Sequence, residues 1–249
     1  MKFKIYCINL YEREDRYNIV KEQFNKYKLD VHFIRNYKHK LGGRYGCFDS
    51  HIQCLKDAKK NKIDICLIFE DDIKLNDDCK KKINICINFL KENKEADIIY
   101  ANGRMLLYID EHYNNNIYSG KSMGCDCIFI NKLGIKKILQ NYKKNILKNI
   151  HYDAFLYLIL KKSFVYINNI STPIVSSSDN VTQNVILILQ NLQDLQSYTV
   201  YHLILLNKIV ILFFLTIIKT NNIYLKKITI NKINEITKKT IKTLLINKK

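Results

Sequence analysis

Three consecutive carboxylates, Glu70, Asp71 and Asp72, follow directly on an apolar run from Ile63 to Phe69 that only Asp64 interrupts. Acids crowded at the end of a buried strand repel one another and are costly to hold together without a cation. A hard divalent ion relieves that repulsion and can also bridge a diphosphate. If extended geometry persists through the triplet, the period of two puts Glu70 and Asp72 on one side and Asp71 on the other. That is the geometry of a D-x-D metal site, with Glu70 and Asp72 as ligands. A solvated acidic turn capping the next helix would contain the same residues.

Other groups could serve such a centre. Arg13 and Arg16 follow an apolar first run, where guanidinium groups could grip phosphates or a base; surface arginines on a first helical turn are the alternative. Ser50 and His51 stand at an expected helix start, where backbone N–H groups favour an anion, or where Ser50 caps and His51 packs. Asp153, near the start of a later helix, is a candidate general base, with a capping carboxylate as its rival. A helix N-terminus is expected to lower its pKa and keep it ionised. His112, His151 and His202 have no ligand-like spacing, and Gly42, Gly43 and Gly46 suit a tight turn rather than a phosphate loop.

These residues need a scaffold. With 249 residues, 47% of them hydrophobic, the chain can bury a sizeable core, which excludes disorder as its main state. Its net charge of +18 attracts phosphates, anionic lipid or a nucleotide-sugar. The carriers are mostly Lys in a sequence also rich in Ile, Asn and Tyr, as AT-rich coding supplies. No basic block alternates with aromatics, so no nucleic-acid partner is expected. The eight cysteines contain no Cys-x-x-Cys pair and sit mostly in apolar runs. They read as buried free thiols of a reducing compartment, not as a zinc site.

Phe3 to Leu10 reads as a buried first strand, and Glu12 to Leu29 has helical spacing through Ile19, Val20 and Phe24. Val31 to Ile34 is a second strand. Asp49 and Ser50 offer an N-cap for a helix to about Asn61. Ile63 to Phe69 fits a central parallel strand. A helix from Asp77 to Glu92, a strand from Asp97 to Tyr100, and a loop or hairpin across Tyr108 to Tyr118 follow. Cys125 to Ile130 is a strand, and Leu133 to Asn145 and Tyr152 to Leu160 are helices. This alternation predicts an α/β fold, a mostly parallel sheet flanked by helices, whose ligands bind beyond the carboxyl ends of the strands. The acidic triplet lies there.

Residues 1–180 form one expected domain and 181–249 a helical C-terminal extension. In the extension an apolar stretch, broken by Asn207 and Lys208, runs into a Lys-rich end. No clean membrane span results; the pattern suits peripheral contact with an anionic membrane, and equally a helical appendage packed on the domain or forming a dimer contact. The start of the chain lacks the apolar region of a signal peptide. A cytoplasmic location, with or without membrane association, is the expectation.

Read in order, the motifs are Ile8-Asn9-Leu10 with Arg13 and Arg16, Gly46-Cys47 with Ser50-His51, then Leu67-Ile68-Phe69-Glu70-Asp71-Asp72. Gly124 to Ile130 with Gly134, and His151-Tyr152-Asp153 with Phe155-Leu156, come after them. This ordered set resembles glycosyltransferase family 25, over about residues 3 to 180. The resemblance implies a GT-A type, Rossmann-like fold, Mn²⁺ (or Mg²⁺) dependence and a UDP-sugar donor, often UDP-galactose, with inversion at the anomeric carbon. It places Glu70 and Asp72 at the metal, and Asn9, Arg13, Arg16, Ser50, His51 and Asp71 at the donor. The acceptor would be a hydroxyl on a glycan, a lipid-linked sugar or a protein. Asp49 departs from the family, which usually has an aliphatic residue before Ser-His. A metal-dependent nucleotidyltransferase and a non-catalytic basic binding module are the competing readings.

Overall fold

The computed structural model describes residues 1–102, 105–114, 116–142 and 151–174. The expected C-terminal extension, 181–249, lies outside them. In chain order the elements are β1 (Phe3–Leu10), α1 (Glu14–Lys26), β2 (Val31–Asn36), α2 (Gly43–Lys60), β3 (Ile65–Glu70), β4 (Ile73–Leu75), α3 (Cys79–Glu92) and β5 (Ile98–Tyr100). They continue with β6 (Met105–Asn114), β7 (Ile117–Met123), β8 (Cys127–Asn131), α4 (Lys132–Tyr142), α5 (Tyr152–Ile159), β9 (Ser163–Tyr166) and β10 (Ser171–Pro173). No helix among the described residues is long and apolar enough to cross a membrane.

Side chains alternate between the two faces of a strand, and here each face has its own core. From β1, Tyr6 joins one cluster while Ile5 and Cys7 join the other. From β3, Cys66 and Ile68 go one way and Ile65, Leu67 and Phe69 the other. Phe48, Ile52 and Leu55 of α2, with Ile135 of α4 and Phe155 of α5, close the first face. Val20 and Phe24 of α1, with Ile83, Ile87 and Leu90 of α3, close the second. Strands buried on both sides need apolar residues at every position, which is why β3 and β8 read as unbroken apolar runs.

The main sheet has the order β2-β1-β3-β8-β5-β9-β7-β6. The pairings leave six strands pointing one way and only β7 and β8 reversed. The sheet is therefore mostly parallel in direction, flanked by helices as expected. The chain leaves β1 for β2 on one side and, through α2, reaches β3 on the other. Such a reversal opens a crevice at the carboxyl ends of the two central strands. The described residues within 108–118 belong to the β6–β7 hairpin, and Asn116 takes a left-handed conformation (φ 65°).

Two local expectations change. The acidic triplet does not continue the strand: β3 stops at Glu70, and Asp71 and Asp72 form a bend before β4. The cause is a separate antiparallel pairing of β4 with β10. It is reinforced where Ile174 N donates to Asp72 O at 2.7 Å, and Gln23 Oε1 accepts from Leu75 N at 2.7 Å. Second, α2 begins at Gly43, not at Asp49, so Ser50 and His51 lie about two turns inside the helix and cap nothing. Gly42, at φ 99°, makes the left-handed entry that a residue with a Cβ rarely adopts.

Candidate active site

A cavity of about 250 Å³ lies at the crevice between β1 and β3. Asn9 at the end of β1, Arg13 and Arg16 at the start of α1, Ser50 of α2, and all three acids of the triplet line it. Seven of the residues singled out by sequence thus share one wall. His51 and Asp153 are not among the lining residues. Lys38, His39 and Cys47, which were not assigned roles, are. The position of Lys38 and His39 just beyond the carboxyl end of a parallel strand was the available signal.

Asp71 faces inward. Its Oδ2 accepts from Asn9 Nδ2 at 2.7 Å, and its Oδ1 lies 3.1 Å from Arg16 Nη1. Burial pushes its carboxyl above the ordinary range, against the opposing hydrogen bond from Asn9 and charge of Arg16. Asn9 also donates from Nδ2 to Arg13 O at 3.1 Å and accepts at Oδ1 from Arg35 Nε at 2.9 Å. Its amide is fully oriented by the protein, so Asn9 acts on the site by fixing Asp71 and the entry to α1. Arg13 donates to both oxygens of Asp15, at 2.9 and 2.8 Å.

Glu70 is approached from α2. Cys47 and His51 are four residues apart, hence on one helical face. Cys47 Sγ lies 3.8 Å and His51 Nε2 3.4 Å from Glu70 Oε1. The fully buried His51 ring stacks on Tyr152, centroids 4.2 Å apart and planes 17° from parallel. Ser50 Oγ donates to Gly46 O at 2.7 Å and accepts from Asn36 Nδ2 at 3.0 Å, which ties α2 to the end of β2. The anion site expected at a helix start is therefore not formed by Ser50 and His51. Burial, with the negative charges of Glu70 and Asp153 next to it, holds the Cys47 thiol well above its usual pKa.

Asp153 is the second residue of α5, and His151 at the N-cap makes no side-chain capping bond. The expected lowering of its pKa does not occur. Burial raises the carboxyl; a hydrogen bond with the Cys125 thiol opposes this, and the charge of Glu70 adds to it. Desolvation here outweighs the helix terminus. His39 sits 3.6 Å from Asp49, the residue that departs from the family pattern, and stacks on Tyr45.

The donor set suits a hard cation. Glu70 and Asp72 both line one cavity, and carboxylates are the donors that Mn²⁺ or Mg²⁺ prefers. Arg13, Arg16 and Lys38 supply positive charge on the same wall for a phosphate-bearing ligand.

Among solved structures, a glycosyltransferase involved in the glycosylation of the major capsid of PBCV-1 is similar at 10% identity. It has a TM-score of 0.46, and the likeness covers 71% of this chain and 95% of that one. A protein from STIV is similar at 12% identity and a TM-score of 0.45, over 71% of this chain and 87% of the other. Likenesses this distant carry no functional weight. Among curated proteins, none matches the sequence. A family model described as glycosyltransferase family 25 (LPS biosynthesis protein) matches residues 36–182, more than half of the 249. That stretch holds the acidic bend, the α2 residues beside it and Asp153, while Asn9, Arg13 and Arg16 precede it. By that match, the chain belongs to glycosyltransferase family 25.

Proposed function

We propose that the chain transfers a hexose, galactose or a related sugar, from a UDP-sugar to an acceptor hydroxyl on a glycan, a lipid-linked sugar or a protein. Mn²⁺ or Mg²⁺ would be held by Glu70 and Asp72. The observation that carries this reading is the convergence of both carboxylates with Arg13, Arg16 and Lys38 on one cavity at the switch point of the sheet. The cation would supply charge neutralisation for the leaving diphosphate.

The chain's own residues do the rest. Asn9 and Arg16 hold Asp71 inward, which leaves Glu70 and Asp72 directed at the ligand. Arg13 and Lys38 add positive charge where the diphosphate would lie. Asp153, raised in pKa beside Glu70, accepts the proton of the acceptor hydroxyl as it attacks; a base is more effective when its pKa rises toward the operating pH. Attack opposite the leaving group through an oxocarbenium-like transition state inverts the anomeric centre, with no covalent intermediate.

A panel of UDP-sugars, assayed for UDP release with and without Mn²⁺, tests the reading. Release of intact UDP from one donor, abolished by a chelator, is expected. Failure to bind or cleave any UDP-sugar would overturn it. Release of pyrophosphate from a nucleoside triphosphate would assign nucleotidyl transfer instead.

A further inference from the structure

We infer that Cys47, His51 and Glu70 form a second cation site, selective for a softer divalent ion of the zinc class. Their ligand atoms all lie within 4.8 Å of one another, the one such group among the described residues. Tetrahedral zinc, with bonds of about 2.0–2.1 Å to nitrogen or oxygen and about 2.3 Å to sulfur, sets N···O edges near 3.3 Å and S···O edges near 3.6 Å. The observed separations are 3.4 Å from His51 Nε2 to Glu70 Oε1 and 3.8 Å from Cys47 Sγ to the same oxygen. Two of the three edges thus stand close to those of such a tetrahedron, and the third, from Cys47 to His51, lies within 4.8 Å.

The surroundings fit a ligand rather than a packed core. Of the eight cysteines, Cys47 alone is half-buried, the other seven being buried. Cys47 and Glu70 both line the cavity, so an ion can enter from it and keep a water or phosphate oxygen as fourth ligand. Thiolate and imidazole select borderline and soft ions over Mn²⁺ and Mg²⁺. No Cys-x-x-Cys pair is needed, because a helical spacing of four and the end of β3 supply the ligands. On binding, the Cys47 S–H proton leaves to solvent and an S–metal bond replaces it. Without the ion, the same contacts are hydrogen bonds that orient Glu70.

Cobalt titration of the metal-free full chain tests the site. A near-ultraviolet thiolate-to-cobalt band should saturate at one equivalent, be displaced by Zn²⁺, and vanish in Cys47→Ser. In Cys47→Ser and in His51→Gln, zinc affinity should fall by more than the roughly 10–100-fold that loss of an outer-shell partner costs. On the unmutated protein, Zn²⁺ should protect Cys47 from alkylation, mapped by mass spectrometry. That arm does not depend on any variant folding. Absence of the band, its persistence in a folded Cys47→Ser protein, or unprotected alkylation would overturn the inference. The site shares Glu70 with the donor reading, but Asp72 is not among its ligands: Asp72→Asn should keep the band whether or not it loses UDP binding.

Discussion

Asn9 Nδ2 donates to Asp71 Oδ2 at 2.7 Å across 62 residues of sequence, and so ties the end of β1 to the bend that follows β3. The middle acid of the triplet is thereby committed to the protein. With Arg16 on its other oxygen, Asp71 is the clasp that closes the floor of the cavity.

Removing that clasp should be felt in stability. Asp71→Ala takes away the carboxylate shared by Asn9 and Arg16, and breaking a buried pair from one side costs on the order of 3 kcal/mol. The urea midpoint should fall accordingly. A wild-type midpoint in Asp71→Ala would show that the network carries no stability.

Asp72→Asn should behave differently. It removes one hard ligand without touching the Asn9–Asp71–Arg16 link, so circular dichroism should be unchanged. Mn²⁺-dependent UDP binding, read by calorimetry, should be lost. Retained affinity in the folded variant would reject Glu70 and Asp72 as the cation pair.

Gly134 marks the close approach of α4 to the sheet. A Cβ placed there would lie 2.3 Å from the Asp97 carbonyl oxygen and 2.9 Å from Ile130 Cγ2. The first contact is with backbone and cannot relax cheaply. Gly134→Ala should therefore lower stability by about 1–3 kcal/mol, the range for an overpacked core. A melting temperature equal to that of the native protein would contradict the packing.

These residues show what the sequence could disclose. β3 was legible because a strand buried on both faces must be apolar throughout, and the triplet because charge at its end is conspicuous. The start of α2 was not: Gly42, Gly43 and Gly46 have poor intrinsic helix propensity, and only tertiary packing carries the helix back to Gly43. The bend at Asp71 was hidden for a similar reason, since the pairing that ends β3 comes from β10, about a hundred residues later. The His51–Tyr152 stack likewise joins distant segments. Local pattern reveals which groups are chemical. Long-range pairing decides which way they face.

Asp57 offers a pH test away from the cavity. Lys4 Nζ and Tyr6 OH each donate to its Oδ2 at 2.8 Å. Partial burial alone would raise the carboxyl, but these two bonds outweigh it and hold it below the ordinary range. A lowered folded-state pKa stabilises the protein above the unfolded value of about 3.9, and the gain is lost as pH falls through the folded value. Asp57→Asn should thus be less stable than wild type at neutral pH, and the gap should close in acid below about pH 4. A gap independent of pH would assign the loss to something other than ionisation.

Asp153 carries the opposite sign. Burial raises its folded-state carboxyl, so ionising it costs stability. Its contribution is fully present below the unfolded pKa of about 3.9 and is lost as pH rises through the folded value. Metal-free Asp153→Asn should accordingly be more stable than wild type at neutral pH and equal to it in acid. No side-chain cap is formed at the start of α5, so Asn forfeits no capping bond there. If Asp153 is the base, turnover should drop by about 10² or more while UDP-sugar binding stays intact, and the acid limb of the kcat/KM profile should disappear. A purely structural Asp153 would give the stability gain with turnover nearly unchanged. That pairing, gain in stability without loss of rate, would reject the catalytic role and leave Asp153 as a buried acid that the fold tolerates.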